Sequence, residues 1–142
     1  MAARYTIKFV KSPDAKTLKG IITIYRAHHW WKPSDTPALL RRVIRGSHCF
    51  AVAVSGGEVI GIGRAISDGA SDAYIQDMAV LPAARGSGAG SALLKALLAR
   101  LRRDGLEWVA LIAQDDSEYF YRKAGFKVLK KAQPMLSPGA YV

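Results

Sequence analysis

Residues 74–90 read YIQDMAV, LPAA and RGSGAG in succession, and residues 91–101 continue as a helix-forming segment. The part from 74 to 80 has the composition of a strand. Glycines at 86, 88 and 90 let the main chain adopt positive φ and bring its N–H groups close to a ligand. This order of strand, glycine loop and helix predicts an anion site built from backbone groups.

The helix that follows the loop has one apolar face. Its leucines at 93, 94, 97, 98 and 101 form a stripe that predicts burial against a sheet. The first turn then presents unpaired N–H groups and the positive end of the helix dipole to the glycine loop. Phosphate groups bind well at such a position.

The spacing of the glycines distinguishes between the phosphate loops that are well known. A Walker loop ends in Gly-Lys-Ser/Thr, whereas Gly88 and Gly90 are followed by Ala89 and Ser91. A dinucleotide fingerprint GxGxxG that starts at Gly86 would have Ser91 in place of its third glycine. The pattern that fits is RxxGxG, from Arg85 to Gly90.

This loop, preceded by AVLP at 79–82, resembles the coenzyme A loop of the GNAT superfamily of N-acetyltransferases. A second segment, EYFYRKAGF at 118–126, is similar to the C-terminal segment of that family, which is commonly FYxKxGF. The two motifs stand in the family's order, and the resemblance extends from about residue 5 to residue 130. It implies an α/β (α+β) fold with a mixed, mostly antiparallel sheet of about six to seven strands, four flanking helices and a central βαβ acetyl-CoA unit.

The resemblance also implies where acetyl-CoA binds. The cofactor would lie between the strand at 74–80 and a later strand at 108–113, with its pyrophosphate on the glycine loop. Backbone groups near Met78 would bond its pantetheine arm and steady the thioester oxyanion. The implied cofactor-binding residues are Met78, Ala79, Val80, Arg85, Gly86, Ser87, Gly88, Ala89, Gly90 and Ser91.

Direct attack by an amine requires the neutral amine, because a free alkylamine is mostly protonated at pH 7. Polyamine acetyltransferases carry a glutamate base where this chain has Gln76, which cannot take a proton. Asp77 is the nearest carboxylate, but the alternation of a strand places it on the opposite face from Gln76 unless a bulge intervenes. Asp77 is therefore a candidate either for the base or for a structural hydrogen bond, and Asp116 and Glu118 are the alternatives for the base.

Tyr121 matches the family tyrosine that protonates the departing thiolate, and packing in the core is its other interpretation. The implied mechanism has no enzyme nucleophile, so Cys49 is not expected to carry the acetyl group. We expect Cys49 to be a buried strand residue.

The connector AHHWWKPSD at 27–35 is unusually aromatic. Trp30 and Trp31 either anchor the packing of a helix end or wall the acceptor pocket together with Gln76. A zinc site is disfavoured, because the adjacent residues His28 and His29 do not easily face one ion and His48 is the one histidine elsewhere. We therefore expect no metal.

The remaining elements follow from periodicity and from cap signals. The helix starts are expected at Ser12-Pro13-Asp14 and Thr36-Pro37, and Gly46 ends the second helix. Gly56-Gly57 predicts a hairpin turn. We expect the apolar run 108–113 to be a strand buried on both faces and parallel to the strand at 74–80. The other expected elements are strands at 5–10, 49–54, 58–66 and 126–129 and a short helix that is capped by Asp116 or Ser117 and ends at Ala124.

The length of 142 residues predicts a single N-acetyltransferase domain over 1–142. The N-terminus lacks a signal-peptide pattern and no apolar run is long enough to span a membrane, so we expect a cytoplasmic protein without a membrane partner. The single cysteine excludes an internal disulfide. The sequence leaves open whether the protein is a homodimer.

The net charge of +10 disfavours polyamines and aminoglycosides as acceptors. It favours a small neutral or acidic amine, or a peptide amine with acidic flanks. Two other functions stay open: an acyl-CoA sensor without efficient transfer, and a basic protein associated with nucleic acid. The basic clusters are more simply explained as solvated faces and helix C-termini, so nucleic acid is the less favoured partner.

Overall fold

The computed structural model describes residues 4–140. The chain divides into two compact units, one that ends at Leu111 and one that begins at Ile112. Each unit is described by itself below. That the whole chain is one domain stays a prediction.

The first unit contains all the described strands and three α-helices. The strands are β1 (Thr6–Phe9), β2 (Cys49–Ser55), β3 (Glu58–Ser67), β4 (Asp72–Val80) and β5 (Trp108–Ala110). The helices are α1 (Ala15–Ala27), α2 (Pro37–Gly46) and α3 (Ala89–Arg103), with a 3₁₀ turn at Pro82–Ala84. The second unit contains the short helix α4 (Glu118–Lys123).

The strands form one sheet in the order β1-β2-β3-β4-β5. The pairs from β1 to β4 are antiparallel and β4 pairs with β5 in parallel. The mixed, mostly antiparallel sheet, the four α-helices and the central βαβ unit of β4, α3 and β5 are therefore confirmed. The described residues contain five strands, which is fewer than the six to seven expected.

Two expectations about the C-terminal strands are wrong. Residues 126–129 form no strand, and the side chains of Val128 and Leu129 are 56% and 64% exposed. A strand needs a neighbour whose backbone pairs with its own, and this segment has none among residues 4–140. β5 ends at Ala110 and is not buried on both faces, since Trp108 is 48% exposed. The apolar run was long enough for a core strand, but its composition did not reveal that it lies at the sheet's edge.

Local signals explain most of the element boundaries. The Asp14 side chain accepts a hydrogen bond from the Thr17 amide at 2.8 Å and caps α1, so the helix starts later than the expected Ser12 start. Thr36 caps α2 with Pro37 in the first turn, as expected. Gly56 and Gly57 have φ of +58° and +79°, which is the backbone that a two-residue hairpin turn requires.

Helices cover both faces of the sheet. On one face, α1 and α2 pack on β2 and β3 through buried residues such as Ile21, Ile44 and Ile62. On the other face, α3 buries Leu93, Leu94, Leu97 and Leu101, four of the five leucines of the expected stripe, and Leu98 is partly exposed. Leu93 and Leu97 lie against Gly61 and Gly63 of β3, where a Cβ atom would stand 2.9 Å from each leucine methyl group. Among residues 4–140, no helix has the length and apolar character needed to cross a membrane.

Candidate active site

The glycine loop connects the 3₁₀ turn to α3. Gly86 and Gly88 have φ of +79° and +87°. Residues with a Cβ atom rarely adopt this region of φ. Gly88 is the N-cap of α3, and the Ser87 hydroxyl accepts a hydrogen bond from the Ala89 amide at 3.3 Å. The loop therefore needs glycine at these two positions in order to enter the helix.

Several amide groups of the loop and the first helical turn remain unpaired. The N–H groups of Gly86, Gly88, Gly90 and Ser91 donate to no other described residue. The first turn of α3 contains no acidic side chain, so no carboxylate of its own fills the site. Unpaired amides at the positive end of a helix dipole bind anions, and the residues present therefore fit a pyrophosphate group.

The neighbouring part of β4 also has free backbone. β5 pairs with β4 at Asp72, Ala73 and Tyr74 and no further. From Ile75 to Val80, the edge of β4 that faces away from β3 has no strand partner in the part of the chain that the structure describes. Backbone groups on that edge, which leads directly to the glycine loop, are available to the amides of an extended ligand.

β4 contains a bulge at the positions where the site residues lie. Ile62 pairs with Ala79 and Arg64 pairs with Gln76, so Asp77 and Met78 stand together opposite Gly63. Asp77 has a φ of +54°, as in bulges whose first residue is left-handed. The bulge brings the side chain of Asp77 to the same face as Gln76, which the alternation of a regular strand would not do.

The Asp77 carboxylate is held by two donors. Its Oδ2 accepts hydrogen bonds from the Tyr25 hydroxyl at 2.7 Å and from Arg64 Nε at 2.6 Å. Burial, and then the charge of Asp77, raise the pKa of Tyr25 well above its usual value, so this phenol stays protonated and donates. Arg64 also donates to Gln76 Oε1 at 3.2 Å and to the Ser47 hydroxyl at 3.4 Å. Gln76 and Asp77 thus share one guanidinium partner.

The aromatic connector lies at the end of α1. The Trp30 ring is 38% exposed and stands edge-on to the Tyr25 ring, with 5.9 Å between the centroids. Trp31 is partly buried against the core cluster of α1 and α2, and the Arg26 guanidinium lies 5.9 Å from its ring centroid. Of the two tryptophans, Trp31 has the contacts of a packing anchor, and Trp30 leaves more of its surface open to a ligand.

The histidines occupy separate environments. His28 Nε2 lies 3.3 Å from the Val80 carbonyl oxygen, and His48 Nε2 lies 2.8 Å from Asp104 Oδ2. Within residues 4–140, no group of three or more His, Cys, Asp or Glu side chains gathers as metal ligands would. Cys49 is buried at the start of β2, as expected, and burial raises the pKa of its thiol to about 11.

Tyr121 lies in α4, within the second unit. Its ring contacts those of Phe120 and Phe126 edge-on, with centroid distances of 5.0 and 5.8 Å. Burial raises the pKa of Tyr121 above its usual value, so the phenol is protonated at neutral pH. Of the alternative bases, Glu118 accepts a hydrogen bond from Arg122 at 3.0 Å, and Asp116 has a φ of +60° in the turn before α4.

Tyr25 and Arg64 were not expected among the site residues. Tyr25 is one of the buried residues of α1, and nothing in the sequence indicated the partner of its hydroxyl. Arg64 offered a weak signal, since it is the one charged residue between Val59 and Ile66 of an otherwise apolar strand. Its partner depends on the register between β3 and β4, which the sequence does not show.

Comparisons with known proteins identify the family and agree with the fold. A model of the acetyltransferase (GNAT) family matches residues 18–126. A GNAT-family acetyltransferase of Streptococcus pneumoniae has a similar structure, with a TM-score of 0.78 and 27% identity over 97% of this chain and 100% of that one.

Two curated plant proteins match about half of the chain. A chloroplastic serotonin N-acetyltransferase of Oryza sativa is 38% identical over 72 residues, which are 51% of this chain and 36% of the relative. A histone acetyltransferase of Glycine max is 38% identical over 69 residues, which are 49% of this chain and 30% of the relative. The matches therefore span well under half the length of these relatives.

Proposed function

The chain belongs to the acetyltransferase (GNAT) family, and on this premise we propose that it transfers the acetyl group of acetyl-CoA to a primary amine. Family membership supports acetyl transfer as the reaction. That acetyl-CoA is the donor and that an amine is the acceptor are the two further claims of this proposal.

The observation that carries the proposal is that two stretches of available backbone, the edge of β4 without a strand partner and the unpaired amides of the glycine loop, follow one another along the chain. The unpaired edge at 75–80 leads to the loop amides of Gly86, Gly88, Gly90 and Ser91, which have no partner among the described residues. An extended ligand with amide groups at one end and a pyrophosphate at the other matches this order of donors and acceptors. Acetyl-CoA is such a ligand.

Bound acetyl-CoA would supply a thioester whose carbonyl carbon the acceptor amine attacks. The chain would hold the pyrophosphate with loop amides and the pantetheine arm with backbone groups of Met78, Ala79 and Val80. We assign the general acid to Tyr121, because thioester aminolysis releases a thiolate and a phenol that stays protonated can donate to it. As the C–N bond forms and the C–S bond breaks, the amine nitrogen loses one proton to solvent, and solvent returns one proton to the phenolate.

We propose a neutral or acidic amine as the acceptor. The net charge of +10 repels polycationic amines, and the exposed ring of Trp30 offers an apolar surface beside Tyr25. The matched relatives are named for serotonin and for histones, both of which present amines, so the comparisons do not decide between a small molecule and a peptide.

The experiment is a screen of acceptors with detection of the free thiol. The panel contains an arylalkylamine, a lysine peptide with acidic flanks and a polyamine, each with acetyl-CoA at low and at high salt. We expect thiol release with the first two, and release with the polyamine to be weaker at low salt. Binding of acetyl-CoA without thiol release for any amine would favour the sensor function, and salt-sensitive retention on nucleic acid without acetyl-CoA binding would overturn the proposal.

A further inference from the structure

The bulge in β4 has an unfavourable backbone conformation at its centre. Asp77 adopts a φ of +54°, which is strained for most residues although aspartate and asparagine tolerate it best. Such a conformation persists where the surrounding contacts hold it in place. The contacts that hold Asp77 come from α1 and from β3.

Three side chains form what we call the Asp77 clamp: Tyr25, Arg64 and Asp77. Both donors bond the same oxygen, Oδ2, one from α1 and one from β3. The Tyr25 side chain projects from α1 and is buried in the hydrophobic core. The guanidinium of Arg64 is fixed by further hydrogen bonds to Ser47 and Gln76. Charge-assisted hydrogen bonds from two fixed donors give the carboxylate one orientation.

Gly63 makes room for the residue after the bulge. A Cβ atom at Gly63 would collide with the Met78 sulfur and would approach Leu97 Cδ1 to 2.9 Å. Met78 therefore lies on the α3 face of the sheet, and Ala79 joins the core cluster on the α1 face. Without the bulge, these two residues would exchange faces, because side chains alternate along a strand.

The last turn of α1 thus contacts both ends of the segment 77–80. Tyr25 bonds the Asp77 carboxylate, and His28 Nε2 lies 3.3 Å from the Val80 carbonyl oxygen. This segment carries the backbone groups of residues 78–80 that the proposed cofactor site uses. Their direction depends on the bulge, so whatever holds the bulge also aims those groups.

We propose that Tyr25, Arg64 and Asp77 are positioning residues that hold the bulge and thereby aim the backbone groups of residues 78–80 that point away from β3 at the acyl-CoA. The proposal rests on the proposed function. In this role Asp77 accepts two hydrogen bonds and is not the base that deprotonates the acceptor amine. Its effect on catalysis passes through the backbone.

The main test is Tyr25→Phe, which keeps the ring and removes the donor. We expect calorimetry to show a rise of about three- to thirtyfold in the acetyl-CoA Kd, because part of the roughly 10- to 150-fold effect of one lost hydrogen bond to a charged group is passed on to binding through the backbone. Ile24→Val is the matched control, because Ile24 is fully buried in the same helix but outside the clamp. It should lower Tm and leave the acetyl-CoA Kd within twofold of the parent value.

Asp77→Asn separates positioning from base catalysis. Asparagine tolerates the left-handed conformation and keeps an oxygen acceptor, but it cannot take a proton. We expect the acetyl-CoA Kd to rise about two- to fivefold and the pH profile of turnover to keep the same limbs as the parent. If turnover instead falls by about a hundredfold or more and one limb of the profile is lost, Asp77 is the base and the proposal is overturned.

Amide shifts of Met78 and Ala79 in the free protein provide a readout that needs no ligand. Tyr25→Phe should move these NMR signals and Ile24→Val should not. If Tyr25→Phe folds and neither the amide signals nor the acetyl-CoA Kd change, the clamp does not hold the bulge and the proposal is refuted. If Tyr25→Phe does not fold, the same two measurements are made on Asp77→Asn. A parent protein that fails to bind acetyl-CoA would refute the proposed function instead, while the amide shifts would still decide whether the clamp holds the bulge.

Discussion

Gly88→Asp tests the glycine loop as the cofactor site. Gly88 caps α3 with a φ of +87°, beside amides that no described residue uses. A carboxylate at this position would accept hydrogen bonds from those amides and would repel the phosphates of a ligand. We therefore expect the substitution to weaken acetyl-CoA binding by two effects that act in the same direction.

The size of the effect follows from the charge and from the backbone. A carboxylate about 5 Å from a phosphate charge costs about 1 to 3 kcal/mol at an effective dielectric constant between roughly 80 and 20, or a factor of about 5 to 150 in Kd. The left-handed backbone costs any L residue about 1 to 2 kcal/mol of stability. Gly88→Ala carries that strain without the charge, and its Cβ would stand 3.3 Å from the Tyr5 hydroxyl.

The assay is calorimetry with acetyl-CoA, together with thermal melts followed by circular dichroism. Gly69→Asp is a second control, because Gly69 has a φ of +78° with no neighbour within 4 Å and lies in the turn between β3 and β4. All three variants should melt earlier than the parent, and Gly88→Asp should lose the most affinity. A folded Gly88→Asp protein whose Kd is within about twofold of that of Gly88→Ala would show that the loop does not bind the phosphates.

Three further predictions concern the acceptor pocket, the general acid and acid stability. Trp30→Ala should raise the acceptor KM about tenfold with little change in the acetyl-CoA KM, and Trp31→Ala should mainly lower Tm. If both variants show an altered Tm with intact kinetics, both tryptophans are packing anchors. Tyr121→Phe should slow turnover on the order of 10² to 10⁴ fold at nearly constant Tm, with partial relief by a donor whose thiol is more acidic; turnover within threefold, with chemistry rate-limiting, would refute the assignment. Hydrogen bonds, first from His48 and then from Arg100, lower the pKa of Asp104. The charged carboxylate therefore stabilises the fold at pH values above its unfolded pKa of about 3.9. This stabilisation is lost as the pH falls through the lowered folded pKa. Asp104→Asn should therefore reduce the fall in Tm below about pH 4, and an equal fall in the parent and the variant would contradict this.

Prediction from sequence worked best where the signal was local. The cap at Thr36, the Gly56-Gly57 turn and the leucine stripe of α3 depend on residues within a turn or two of each other, and the structure confirms them. Prediction from sequence worked least well for the expected C-terminal strands. Residues 126–129 have apolar residues like those of a strand, but whether such a segment pairs depends on a distant partner.

The candidate site shows the same division. The RGSGAG loop could be recognised because glycines that allow positive φ, followed by a helix start, already specify an anion site. The face of Asp77 could not be predicted, because a bulge adds one residue to one strand and reverses the alternation after it. The sequence allowed both faces for Asp77, and the register between β3 and β4 decided between them.

The sequence by itself determined the order of the elements from β1 to α4, the glycine loop and the family, because each depends on conformational preferences and spacings along a short stretch of chain. Tertiary structure alone decided the partners of Asp77. Tyr25 is 52 positions away from it and Arg64 is 13 positions away. Hydrogen bonds between side chains so far apart in sequence form once the sheet register and the helix packing have placed their donors, and no local pattern encodes that placement.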